Sequence, residues 1–79
     1  MNELKTFLAG LATEERDAFA ARCETSAAHL RNISYGSRVA SARLSVAIER
    51  QSNGAVTRQH LHPDEWPTIW PELQESVHA

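Results

Sequence analysis

The stretch Phe19-Ala20-Ala21-Arg22-Cys23-Glu24-Thr25-Ser26-Ala27-Ala28-His29-Leu30-Arg31-Asn32-Ile33-Ser34-Tyr35-Gly36 decides how this chain is read. Its pattern predicts a helix, a short break and a second short helix that stops at a glycine. Thr25 or Ser26 caps the second helix, and Gly36 supplies the left-handed residue that closes it. Ala20 is small enough to sit where two helices cross closely. Leu30 and Ile33 are one turn apart and share an inward face. The opposite face carries Ser26, Ala27, Arg31 and Asn32, with Tyr35 just beyond. Such a face adds little to a core.

Working outward, Leu4, Phe7, Leu8 and Leu11 follow the i, i+3, i+4, i+7 spacing of an amphipathic helix. Asn2 is its expected N-cap, and Gly10 lies near its end. Thr13 before Glu14-Glu15 predicts the N-cap of a second helix over about 14–22, with Phe19 and Cys23 on its inner stripe. Ser41 caps a helix that turns Leu44, Ala47 and Ile48 inward and stops at Ser52-Asn53-Gly54. Thr57 caps a short helix over about 58–61, before Pro63. No segment alternates with period two. The expectation is an all-α fold, a compact bundle of about five short helices.

The tail from His62 to Leu73 holds Pro63, Pro67 and Pro71, which forbid a long regular helix or a central strand. Trp66, Ile69 and Trp70 are large apolar residues in polar surroundings. They either fold back onto the domain or meet a partner. The chain accordingly divides into residues 1–66, a single helical domain, and residues 67–79, a tail rich in Trp and Pro.

Composition narrows the function. The chain has 79 residues, 42% of them hydrophobic and 23% charged, which is ordinary for one small globular domain. Its one cysteine, Cys23, excludes an internal disulfide, fits a cytoplasmic location, and reads as a core residue. The apolar runs are too short for a membrane span, and the start of the chain lacks the pattern of a secretory signal. Net charge is −2, but it is unevenly spread. Between positions 16 and 58, seven arginines face Asp17, Glu24 and Glu49, a balance of +4, while the flanks sum to −6. A basic middle of this kind attracts phosphate locally.

No glycine-rich phosphate loop or nucleophile–base arrangement is visible, so no catalytic residue and no enzyme activity is expected. His60 and His62, with Asp64 nearby, straddle an expected helix end and lack a third firm ligand. No metal and no cofactor is expected. The exposed face of the second helix suits a DNA major groove, where Arg and Asn have bidentate partners on guanine and adenine. Arg31 is expected to grip guanine, Asn32 to read adenine or brace a phosphate, Ser26 to bond a base or phosphate, and Ala28 to touch a thymine methyl. Ala27 completes the base-reading set. Arg16, Tyr35, Ser37 and Arg38 are expected at the phosphate backbone, and Arg43 either joins them or is simply solvated. His29 faces sideways, toward DNA, packing or solvent.

The stretch 20–36 is a helix-turn-helix pattern. Its first-helix Ala20, inner Leu30 and Ile33, and Asn32-Ile33 followed by Gly36 resemble the phage Cro repressors and YdaS-like regulators, within the lambda-repressor-like superfamily. Further along, Ile48-Glu49-Arg50, Gly54-Ala55-Val56-Thr57-Arg58 and Leu61-His62-Pro63-Asp64-Glu65-Trp66-Pro67 occur in an order and spacing similar to those proteins. The chain departs from them at Glu24, where the turn usually has a glycine, and at Ala27, where a glutamine is common. The resemblance implies a transcriptional repressor that occupies double-stranded operator DNA as a homodimer. That family uses two C-terminal designs, one helical and one with a β-hairpin; here Thr57 capping Arg58-Gln59-His60-Leu61 favours the helical one, and the prolines disfavour a hairpin. The competing expectation is an antitoxin-like regulator that holds a protein partner through its aromatic tail.

Overall fold

Six short helices account for most of the chain in the computed structural model, which describes residues 2–73. They are α1 (Glu3–Ala9), α2 (Thr13–Arg22), α3 (Ala27–Ser34), α4 (Ala42–Gln51), α5 (Arg58–Leu61) and α6 (Trp66–Ile69). Residues 71–73 are also helical, and no strand occurs among the described residues. None of these helices is long and apolar enough to cross a membrane. α6 is an addition to the five helices expected. Pro67 falls in its first turn, where a missing N–H removes no helical hydrogen bond.

Most caps follow from the nearest residues. Asn2 Oδ1 accepts from the Lys5 N–H at 3.1 Å, and Ser26 and Ser41 do the same for His29 and Leu44. Ser26, not Thr25, therefore starts α3. The Thr57 hydroxyl accepts from the His60 N–H at 3.1 Å, while His60 Nδ1 accepts from the Thr57 N–H at 3.0 Å. α2 departs from expectation. Its N-cap position is Ala12, and Thr13 is already helical. The Glu15 carboxylate reaches back to the Ala12 N–H at 2.8 Å and does the capping in place of a hydroxyl.

The core gathers Leu4 and Leu8 of α1, Phe19 and Ala20 of α2, Leu30 and Ile33 of α3, and Ile48 of α4, with Cys23, Ala40 and Val56 from the connections. Each fully buried Leu, Ile or Phe contributes about 1.5–3 kcal/mol. Phe7 adds a tilted ring contact to Phe19 at 5.0 Å. The α4 stripe differs from the one expected: Ile48 is buried, but Leu44 and Ala47 are only half-buried, and Ser45 is fully inside.

Ser45 is buried because it belongs to a polar network. Its hydroxyl donates to the Ser41 carbonyl at 2.8 Å. His62 Nε2 lies 2.8 Å from the Ala40 carbonyl and 3.1 Å from Ser45 Oγ. A carbonyl only accepts and the Ser45 proton is engaged, so Nε2 carries the ring hydrogen. Trp70 packs edge-on against His62 at 5.6 Å and is 7% exposed. The Arg58 guanidinium also lies over its ring, 5.4 Å from the centroid. Of the three apolar tail residues, Trp70 folds back onto the domain, Trp66 is half-buried and Ile69 is partly exposed.

Glu49 ties α4 to α5. Its Oε1 accepts from the Arg58 N–H at 2.8 Å and from Arg58 Nε at 3.0 Å. Burial pulls the Glu49 carboxyl upward. The hydrogen bonds from the Arg58 backbone and guanidinium, with the charges of Arg58 and His60, outweigh it and hold the group below its ordinary value.

Two predictions follow from these contacts. A carboxyl with a lowered folded pKa stabilises the fold above its unfolded pKa of about 4.3 and loses that contribution as pH falls through the folded value. Glu49→Gln is therefore expected to lower stability by about 1–3 kcal/mol at neutral pH, with the gap to the parent closing toward acid in urea melts. Glu24 adopts φ +61°. Glu24→Gly is expected to raise stability by about 1 kcal/mol, or a melting temperature rise of about 4–8 °C. A lower melting temperature would mean that the glutamate side chain outweighs its backbone strain.

Candidate nucleic-acid interface

α2 and α3 are joined by the residues Cys23, Glu24, Thr25 and Ser26. The Thr25 N–H donates to the Ala20 carbonyl at 2.9 Å and the Glu24 N–H to Ala21 at 3.0 Å. This pair of bonds closes a helix through one left-handed residue, here Glu24. The turn keeps the geometry that glycine usually supplies, and Glu24 bears the strain. Ala20 is buried beside it. The same closure recurs at the end of α3, where the Ser37 N–H reaches the Asn32 carbonyl at 2.9 Å and Gly36 takes φ +84°.

Successive side chains on α3 are about 100° apart. Leu30, Ile33 and Ser34 point inward and are buried. Away from them, Ala28, Arg31, Asn32 and Tyr35 form one exposed face, and Tyr35 is 62% exposed. Ser26 is exposed at the start of this face, its hydroxyl engaged as the cap. Ala27 lies on the flank toward α1, half-buried against the core. A methyl group in that position packs rather than reaches outward. His29 lies on the other flank and is half-buried. It lines a hollow of about 260 Å³ with Cys23, Thr25 and Arg43.

The expected backbone-contacting residues are distributed around this face. Arg16, near the start of α2, is half-buried, and its Nε donates to the Leu11 carbonyl at 3.1 Å. That bond fixes the guanidinium plane. Arg16, Arg31 and Tyr35 line one cleft of about 440 Å³, together with Lys5 of α1 and Asp17. Ser37 and Arg38 are exposed beyond the end of α3, and Arg38 borders a separate hollow near Asn2 and His60. Arg43 is exposed in the first turn of α4, on the His29 flank. Ser26, Ala28, Arg31, Asn32 and Tyr35 thus share the α3 face, and Arg16 joins Arg31 and Tyr35 in the cleft beside it. Arg38 and Arg43 stand at the end and at the far side.

Sequence reasoning missed Lys5, whose Nζ lies 4.9 Å from the Tyr35 ring centroid. No local pattern marks it, since its neighbourhood is created by α1 crossing α3. Arg58, counted in the basic middle, is engaged by Glu49 and Trp70 instead. Cys23 is buried, and desolvation pushes its thiol up while Arg22 pulls it partly back. It packs as a neutral thiol. Among the described residues, no three His, Cys, Asp or Glu side chains converge on a point that could hold a metal ion.

The division of labour on α3 is measurable without any ligand. Ser26→Ala removes the cap and is expected to cost about 1 kcal/mol in a thermal or urea melt. Arg31→Ala, on the exposed face, is expected to change stability by less than about 0.5 kcal/mol. A large loss for Arg31→Ala would mean that this side chain supports the fold. Compared with protein-family models and with curated proteins, the chain matches none.

Proposed function

We propose that this protein is a sequence-specific DNA-binding transcriptional repressor of the phage Cro type, with a lambda-repressor-like helix-turn-helix formed by α2 and α3. One observation carries the reading: Ala28, Arg31, Asn32 and Tyr35 form a solvent-facing row on a helix that is seated on a second helix by a tight turn. None of the row belongs to the buried core. The groups of the row match what a major groove presents, with Arg31 to guanine O6 and N7, Asn32 to adenine, and the Ala28 methyl to thymine. Ser26 stands at the helix start, the end that enters the groove first.

Around this face, Arg16, Ser37, Arg38 and Arg43 hold the phosphate backbone and set the register without reading sequence. The acidic flanks weaken non-specific attraction, so affinity rests on the local field of α2 and α3. The repressor works in the cytoplasm as a homodimer on a pseudo-palindromic operator, with half-sites about 34 Å apart. Within the aromatic tail, Trp70 is buried against His62 and Arg58 and so is not open to a protein partner.

Selection of bound duplexes from a random DNA pool at fixed salt tests the reading. Recovery of a short inverted repeat is expected. Nothing recovered above background would overturn it. Arg31→Ala is expected to lose the preference for the recovered site, by about 1–3 kcal/mol of discrimination, while the fold melts as before.

A further inference from the structure

We propose that Lys5 is a ligand of the DNA phosphate backbone, held in place by the ring of Tyr35, so that the contact surface extends from α2 and α3 onto α1. This rests on the DNA-binding reading above and assigns Tyr35 a positioning role rather than a direct contact. Three observations carry it. Lys5 Nζ sits 4.9 Å from the centroid of the Tyr35 ring. Tyr35 follows Arg31 by four residues and so lies on the exposed face of α3, one turn further along. Lys5, Arg16 and Arg31 line the same cleft of about 440 Å³, in which Asp17 is the one carboxylate. Three cations against one carboxylate leave the cleft net positive beside the face that enters the groove.

The supporting contacts explain why Lys5 keeps its position. The Asn2 side-chain amide donates to the Ser34 carbonyl, which ties the start of α1 to the end of α3. Lys5 is one turn into α1 from that tether. A lysine side chain ordinarily loses much rotamer freedom when it binds a phosphate. A cation resting over an aromatic face is already partly ordered, and the contact leaves the ammonium protons free for phosphate oxygens. Among the described residues no carboxylate pairs with Lys5. A phosphodiester offers the matching acceptors, as does free inorganic phosphate. Lys5, Arg16 and Arg31 share this cleft beside the exposed α3 face, and that shared placement favours the diester of a duplex.

The test uses the full chain and two duplexes, the selected site and a random sequence, with binding measured across a salt series. Lys5→Gln is expected to weaken both duplexes by the same factor, about 3–10-fold near 0.1 M salt, and to make the log–log salt slope shallower by about 0.9. Lys5→Arg is expected to restore the slope. Tyr35→Phe keeps the ring and is expected to bind as the parent does. Tyr35→Leu is expected to reproduce most of the Lys5→Gln loss, with the double variant no worse than Lys5→Gln alone. Both positions are exposed, so all variants should melt as the parent does. An unchanged slope in Lys5→Gln overturns the assignment. So does a Tyr35→Phe loss as large as that of Tyr35→Leu, which would place the phenolic hydroxyl on the DNA. Saturable binding of inorganic phosphate through Lys5 at constant ionic strength would reassign the cleft to a free anion and equally overturn it. A parent chain that binds neither duplex sinks the DNA-binding reading itself, whereas a binding parent with an indifferent Lys5→Gln sinks only the role of Lys5.

Discussion

At Glu24 the backbone enters the left-handed region, and the direction of α3 follows from that single residue. Helices of ten and eight residues are too short to be stable alone, so their mutual placement comes from the turn and from the buried residues on either side. The Thr25 and Glu24 N–H groups bond back to Ala20 and Ala21, which fixes the exit of α2. Ala20 then permits the close crossing, and Leu30 and Ile33 lock the inner side of α3. With those fixed, Ala28, Arg31, Asn32 and Tyr35 have nowhere to face but solvent. The exposed face is thus a by-product of where the turn must be.

The second half of the chain is held by polar chemistry as much as by apolar burial. A small domain has limited hydrophobic surface to remove from water. Here Ser45, His62 and the Ala40 carbonyl satisfy one another inside, and the described residues leave no buried side-chain nitrogen or oxygen without a partner. Trp70 covers this network from the tail, and Arg58 holds Trp70 while pairing with Glu49. One chain of contacts therefore runs from α4 through α5 to the tail.

Caps and turns were legible in the sequence because they are decided within four residues. Asn2, Ser41, Thr57 and Gly36 act where their neighbours indicate, and the all-helical class follows from the spacing of Leu4, Leu8, Leu30 and Ile33. Ala12 escaped because Glu15 does the work normally signalled by a hydroxyl. Ser45 and His62 escaped for a different reason. A serine and a histidine look solvated until a partner some 17 residues away supplies the hydrogen bond. Of the candidate interface, the α3 row could be read from periodicity alone. Lys5 could not, since its partner Tyr35 comes from another helix, and Ala27 was drawn into the exposed set although it packs on the flank.

The end of α4 has a chemical consequence. Asn53 precedes Gly54, the dipeptide in which a backbone nitrogen most readily attacks the side-chain amide, releasing ammonia and forming a succinimide that water opens to aspartate or isoaspartate. In the folded chain that nitrogen is occupied: the Gly54 N–H donates to the Glu49 carbonyl at 2.9 Å, with Asn53 held at φ +54°. Ageing at this bond is thereby restricted to molecules in which the last turn of α4 has opened. The slow accumulation of isoaspartate becomes a clock for local opening at the junction that connects the helical core to the Glu49–Arg58–Trp70 chain.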